Sequence, residues 1–487
     1  MKIRYLIPQN QLKSDTELLD LSVERCSANY RTSDERTLLF LLPGVNFDTY
    51  ELKDEYIKSP HAAIVTENAS KFQKAHSDII EVKNARLSFA FASSRICEIN
   101  YDNLAVIGVT GTNGKTTSAT MIHRILTDAG IKCGFIGTGK MFFENVDYAE
   151  KYYSMTSPDP NVLYPVLSDM QKRGCTTVVL EASSHALALD KLSPIPFKIG
   201  IFTGISHEHL EFHKTMENYF LAKSRLIENS ELGIINQDDE WGKKLYEKFK
   251  HKSLGISVNE KADVYAKDVK HRREGGNEYL LKYKDILTKA EICFPGIYNV
   301  YNSLFAFVAA YHMNISVRDI NASLKNISYI DGRFEVIKDS VTVVIDYAHK
   351  PLALESILKT VKEELKPRQN ITLVFGCGGE RDPSKRPLMA SVAEKLADNI
   401  IVSNDNPRGE NESNIISDIE KGFLTHKHAV ILDRALAIRH AIKTASDGDV
   451  VVIAGKGHEK YIKDKNGFHE FDEKSIVLNS LKIRKKG

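Results

Sequence analysis

The chain has 487 residues, 42% of them hydrophobic and 27% charged, which excludes disordered, collagen-like and coiled-coil classes. Its 66 Lys and Arg nearly balance 64 Asp and Glu, for a formal net charge of +2, so nucleic acid is not expected as a partner. No apolar run reaches the ~20 residues of a membrane helix, and the six cysteines (26, 97, 133, 175, 293, 377) contain no CxxC pair, which argues against structural zinc and disulfides and fits a reducing cytoplasm.

A chain this long divides into more than one core. The N-terminus, MKIRYLIPQNQLKSD, is interrupted by Pro8 and offers no small-residue cleavage site, so no signal peptide is expected. Residues 1–101 form a first block without a glycine-rich nucleotide turn. A second block, 102–333, begins with the run LAVIGVT at 104–110 and continues through TTVVLEAS at 176–183 and KIGIFTGI at 198–205. A third, 334–487, contains VTVVIDYA at 341–348, ITLVFGC at 371–377 and DVVVIAGKG at 449–457. Continuous rather than alternating apolar strands belong to sheets covered on both faces, so the expected class is α/β with largely parallel sheets.

The strongest local signal is VIGVTGTNGKTTSATMIHRIL, residues 106–126. A buried strand runs into Gly111-Thr112-Asn113-Gly114-Lys115-Thr116-Thr117, and an amphipathic helix follows. Glycines let successive backbone N–H groups face phosphate oxygens, and the helix N-terminus adds its positive end. Lys115 reaches outer phosphates and the Thr116 hydroxyl suits Mg²⁺. The longer GxxxxGK[ST] form would need Gly where Val109 stands, so this is a shorter variant. ATP binding alone leaves kinases, hydrolases, motors and ligases open.

Further segments join that loop in order: LEASSHAL (180–187), SHEHLEFHKTMENYFLAKSRL (206–226), FPGIYNVYNSLFA (294–306), DGRFEV (331–336), DYAHKP (346–351) and VFGCGGERDPSKRPLM (374–389). With them the chain resembles the Mur ligase family of amide-bond-forming enzymes. SNDNPRGENE (403–412) and AGKGHEKY (454–461) are similar to the member that adds the third residue of the peptidoglycan stem. The match covers about 104–460 well and the first hundred residues poorly.

The resemblance implies a three-domain architecture: a divergent domain binding the UDP-linked substrate, a central P-loop domain binding ATP, and a Rossmann-like C-terminal domain holding the amino acid. It implies a cytoplasmic, monomeric ligase of peptidoglycan precursor synthesis. ATP would activate the carboxylate of UDP-N-acetylmuramoyl-L-alanyl-D-glutamate as an acyl phosphate, which the amine of meso-diaminopimelate attacks. Thr116, Glu181 and His209 match Mg²⁺ ligands, and Lys223 matches a lysine carbamylated by CO₂. Catalysis would rest on Lys115, Glu181, His209, Lys223 and Arg333. Asn302, Arg333 and Asp346 match positions around adenine, γ-phosphate and ribose, in an interdomain cleft. Thr156, Ser157, Ser183 and Lys191 fall to the acceptor; Arg381, Asp405, Asn406, Pro407, Arg408, Gly455 and Glu459 fall to the amino acid. His207 and His213 read as local hydrogen-bonding groups.

Two departures stand out. Leu189-Asp190-Lys191 replaces the family's usual Gln-x-Arg, and Asp48-Thr49-Tyr50 stands where Asp-Gly-His is common. Lys lacks the bidentate fork of Arg. The competing readings are a Mur-type paralogue with another amino acid or acceptor, such as a polyglutamate-type or natural-product amide ligase, and a non-catalytic nucleotide-binding scaffold.

Overall fold

The computed structural model of the chain describes residues 1–44, 48–72, 78–149, 155–259, 261–272, 275–425 and 427–485. It forms two units, one of Met1–Tyr265 with Leu304–Ile320, the other of Ala266–Ser303 with Asn321–Gly487.

The first unit opens with a small parallel sheet of Arg25–Ser27, Thr37–Phe40, Ala63–Thr66 and Ile79–Glu81, in chain order. Helix Ala85–Ile96 starts where Asn84 accepts from Leu87 N–H (2.9 Å), and its Phe89 packs on Phe40 with ring centroids 5.1 Å apart. A larger sheet follows. At its centre β1 (Ala105–Thr110), followed by helix α1 (Lys115–Asp128), lies between β2 (Thr177–Glu181) and β3 (Phe197–Phe202), all parallel. Cys133–Gly137 extends the sheet beyond β2, and Ser230–Asn236 and Ser253–Ser257 extend it beyond β3. Helix α2 (Met216–Glu228) packs against β3 with its Tyr219, Lys223 and Leu226 face buried. The carboxyl ends of β1, β2 and β3 thus lie side by side, the usual place for a ligand in such sheets.

The second unit carries a six-stranded sheet in the order Glu335–Lys338, Thr342–Asp346, Val450–Ala454, Ile371–Phe375, Asn399–Val402, His428–Val430. Only its first pair is antiparallel. Leu354, Leu358 and Met389 cover one face; Ile438, Ile442 and Val477 cover the other. Both main sheets are therefore helix-covered and mostly parallel, as the continuous apolar runs predict. An antiparallel hairpin, Asn277–Tyr283 with Ile286–Ile292, was not expected. Its first strand alternates buried and half-buried residues, and its turn uses Lys284 at φ 49° instead of a glycine. The six cysteines are all free thiols, and among the described residues no helix is long and apolar enough to cross a membrane.

Candidate active site

Beyond β1 the backbone makes a turn that only glycine can make. Gly111 sits at φ 150°, and a Cβ there would lie 1.9 Å from Thr203 Oγ1 and 3.0 Å from the Gly204 carbonyl. Gly114 precedes α1 at φ 83°. The first N–H groups of α1 have no partner within the helix, which makes its start an anion site. Thr112 anchors the loop: its N–H donates to Gly204 O (2.8 Å), and its hydroxyl takes Ser206 N–H (2.9 Å) and meets the Tyr219 hydroxyl (3.0 Å). Lys115 Nζ donates to the carbonyls of Gly111 (2.9 Å) and Thr112 (3.1 Å).

Glu181, at the end of β2, is fully buried. A buried carboxylate needs donors, and three supply them: Thr116 Oγ1 (3.0 Å), Thr138 N–H (3.1 Å) and Thr138 Oγ1 (3.1 Å). Gly137 makes room, since a Cβ there would lie 2.3 Å from Glu181 Oε1. Thr138 also meets Thr156 Oγ1 at 3.0 Å. Ser157 donates to Glu181 O (2.7 Å) and receives Ser183 N–H (2.9 Å), while Ser183 Oγ caps Ala186 N–H at 3.2 Å. The three hydroxyl residues expected at the acceptor therefore line up beside Glu181. Lys191 Nζ instead lies 2.5 Å from Asp159 Oδ1.

Lys223 is only 1% exposed. Its Nζ donates to Gly111 O (2.8 Å) and Thr110 Oγ1 (3.3 Å), and lies 4.9 Å from the Tyr219 ring centroid. Lys115 and Lys223 share the Gly111 carbonyl. An ordinary surface lysine would be solvated; this one ends under the phosphate loop. Tyr219, one helical turn earlier, touches Thr112 and Lys223, and the His209 ring centroid is 6.2 Å from its own. His209 has φ 56° and a half-exposed ring, 3.4 Å from Glu208 and 3.6 Å from Glu211.

His213 packs instead of bonding through its side chain. Its ring stands 5.5 Å from that of His185 and 5.1 Å from Tyr219, and its buried Nε2 has no hydrogen-bond partner among the described residues. Burial first, then the neighbouring His185 and Lys223, push its pKa down to about 4, so the ring is neutral at pH 7. The hydrogen-bonding role expected for it gives way to ring packing.

Among the described residues no three His, Cys, Asp or Glu side chains converge as a metal group. The oxygens of Thr116 and Glu181 nevertheless suit Mg²⁺, which commonly takes one or two carboxylates and completes its shell with phosphate and water.

In the second unit Arg333 lies over the Tyr347 ring, 4.4 Å from its centroid. Asp346 accepts from Phe334 N–H (2.7 Å) and Ala348 N–H (2.8 Å). Burial pushes its carboxyl up, and the Arg333 charge opposes that. The Tyr298 phenol, on the same helix as Asn302, is raised by burial and then by the Asp346 charge. Asn302 is buried and donates to Asn299 Oδ1 at 3.1 Å.

The second unit also gathers the residues expected at the amino acid. Asn406 Nδ2 donates to Glu459 Oε2 (2.8 Å), and its Oδ1 accepts from Lys456 Nζ (3.0 Å) and Lys463 N–H (2.9 Å). Lys456 is fully buried and also approaches Glu459 (3.3 Å) and Asp405 (3.6 Å). A Cβ on Gly455, at φ 124°, would lie 3.0 Å from Asp405 Oδ2. Pro407 is buried, and Arg381 is exposed near Gly378. Arg408 takes φ 55°, and its Nη1 donates to the carbonyls of Gly379 (2.8 Å) and Asn406 (3.3 Å). No carboxylate pairs with it among the described residues, so its charge is held in place without being neutralised. Lys456, Tyr219, Thr138 and His185 were not singled out from the sequence. Only the spacing of Tyr219 and Lys223, four residues apart on one helix face, offered a signal.

Residues 109–310 match the Mur ligase middle domain, and residues 332–457 match the Mur ligase glutamate ligase domain. UDP-N-acetylmuramoyl-L-alanyl-D-glutamate–2,6-diaminopimelate ligase 1 of Clostridium acetobutylicum is 36% identical over 99% of both chains. The enzyme of the same activity from Clostridium tetani is 34% identical over 98% of both. A solved structure of a UDP-N-acetylmuramoyl-L-alanyl-D-glutamate–2,6-diaminopimelate ligase superposes with a TM-score of 0.71 at 27% identity, covering 100% of this chain and 99% of that one.

Proposed function

The chain belongs to the Mur ligase family of ATP-dependent amide-bond-forming enzymes, and from that premise we propose that it joins meso-diaminopimelate to UDP-N-acetylmuramoyl-L-alanyl-D-glutamate in peptidoglycan precursor synthesis, in the cytoplasm and as a monomer. The observation that carries the choice of amino acid is Arg408, a fixed guanidinium without a carboxylate partner among the described residues, which donates to the Asn406 carbonyl while the Asn406 side chain donates to Glu459. One recognises a distal carboxylate, the other a distal ammonium. The division of labour follows three blocks: 1–101 for the UDP moiety, 102–333 for ATP, 334–487 for the amino acid.

ATP phosphorylates the acceptor carboxylate, the amine attacks the acyl phosphate, and phosphate leaves. Each stage gathers negative oxygens, which preorganised donors and cations must stabilise. The loop N–H groups of 111–117 and Lys115 hold the phosphates. Arg333 acts on the transferred phosphoryl group, with Asn302 and Asp346 on adenine and ribose. Thr116, Glu181, His209 and a carbamate on Lys223 would hold Mg²⁺, which when bound neutralises phosphate charge. That carbamate forms when the neutral Lys223 amine adds to CO₂ and loses a proton. It would exchange a cation for an anion facing Mg²⁺, turning repulsion into attraction; a unit pair about 4 Å apart is worth roughly 4 kcal/mol at an effective dielectric near 20. Thr156, Ser157 and Ser183 orient the acceptor beside Glu181.

A paralogue with another acceptor is favoured by one feature, the pairing of Lys191 with Asp159 where an acceptor-binding Arg is usual. Measuring ADP release against a panel of UDP-muramoyl-peptides and amino acids decides between the two. Turnover only with the dipeptide and diaminopimelate supports the proposal; turnover with a different pair replaces it.

A further inference from the structure

Resting on the acceptor reading above, we infer that Lys191 is a positioning residue: it acts through Asp159 to hold the Thr156-Ser157 segment against the end of β2, and does not itself bind the acceptor. Its Nζ lies 2.5 Å from Asp159 Oδ1, with the lysine side chain 13% exposed and the aspartate 52%. An ammonium already facing a carboxylate has its charge largely answered, and it lacks the planar fork by which a guanidinium grips a carboxylate bidentately.

Three observations make this a built tie. Asp159 is the N-cap of helix Pro160–Lys172, yet its side chain caps no helix N–H. An Asp in that place ordinarily accepts from its own helix; here its carboxylate meets Lys191 instead. The Lys191 backbone grips the same helix, since its carbonyl accepts from the fully buried Tyr164 hydroxyl at 2.8 Å. The turn that carries Lys191 is itself clamped. Asp190, at φ 58°, accepts from Asn84 Nδ2 (3.0 Å), Arg225 Nη1 (3.0 Å) and Ser193 Oγ (3.2 Å). Arg225 also donates to Leu187 O at 2.9 Å. A fixed turn thus reaches one short segment by side chain and by main chain. Two residues before Asp159, Ser157 bonds the Glu181 carbonyl at 2.7 Å, and before it Thr156 meets Thr138 at 3.0 Å. Loosening Asp159 moves the hydroxyls that orient the acceptor, while the phosphate loop keeps its own anchors.

The test is a double-mutant cycle on the full-length enzyme. Lys191→Met and Asp159→Asn should each raise the KM for UDP-N-acetylmuramoyl-L-alanyl-D-glutamate roughly 10-fold, the double variant should be no worse than either, and Lys191→Arg should restore wild-type behaviour within about 3-fold. The KM for ATP should not move. Hydrogen exchange across residues 156–164 should quicken in Lys191→Met and Asp159→Asn and stay at the wild-type rate in Lys191→Arg. Multiplying effects in the double variant overturn the inference. So does an Asp159→Asn enzyme with unchanged or lower acceptor KM beside a Lys191→Met enzyme with a raised one, which marks direct binding. Unchanged exchange also overturns it. A wild-type enzyme that refuses this acceptor defeats the acceptor reading instead, and the exchange rates still decide the tie.

Discussion

At the phosphate loop the path of the backbone selects the residues, whereas around Glu459 a set of charges selects them. Gly111 and Gly114 hold conformations that other residues rarely adopt, and the cations Lys115 and Lys223 converge on one carbonyl of that loop. In the proposed amino-acid pocket one buried ammonium, Lys456, faces an amide and two carboxylates, and the Arg408 guanidinium donates to two backbone carbonyls. A loop made of main chain tolerates almost no change of shape. A pocket made of charges tolerates changes of shape but not of charge count.

The loop should therefore break first and hardest. Gly111→Ala must displace Thr203 or the Gly204 carbonyl, so ADP formation should be abolished. Lys115→Ala should lose the same activity without loss of thermal stability, since its ammonium donates to carbonyls of its own loop. Glu181→Ala should lose activity and also stability, by about 1–3 kcal/mol, because Thr116 and Thr138 are left without their acceptor. Calorimetry beside an ADP-release assay separates the three.

Lys223→Ala should be nearly inactive and partly restored by short added carboxylates, which can take the place of a carbamate. Depleting bicarbonate should lower wild-type activity reversibly. Full activity with an unmodified Lys223 by intact-mass analysis would defeat the carbamate.

In the proposed pocket, Lys456→Met removes a buried cation that faces both Asp405 and Glu459. Losing one partner of a buried ion pair costs on the order of 3–5 kcal/mol, so this variant should unfold at a lower temperature and bind diaminopimelate at least ~100-fold more weakly while keeping its KM for ATP. Equal weakening for ATP would mean that the two regions are not independent.

The same contrast explains what the sequence disclosed. The strand–loop–helix at 105–128 and the runs that became β2, β3 and the sheet of the second unit were legible because local periodicity and glycine spacing encode them. Asn406, Arg408 and Glu459 were reached through resemblance. Lys456 was not, since its partners Asn406 and Asp405 lie about fifty positions away, and only folding brings the charges together. Thr138 went unseen for the same reason: Glu181, which it serves, is 43 residues further on. The Lys191–Asp159 pair was not legible because a charge in a sequence does not announce its partner. The hairpin at 277–292 escaped because its turn, Lys284-Asp285, lacks the usual glycine.

The central claim, that Arg408 recognises the far carboxylate of the incoming amino acid, is tested most directly by competition between meso-diaminopimelate and L-lysine, which has the far amine but no far carboxylate. Wild type should prefer diaminopimelate by ~10⁴ or more, as sites built to bond a missing group commonly do. Arg408→Ala should collapse most of that preference, and Arg408→Lys should recover only part of it, because a point charge lacks the guanidinium fork. Equal use of the two amino acids by the wild-type enzyme would contradict the account.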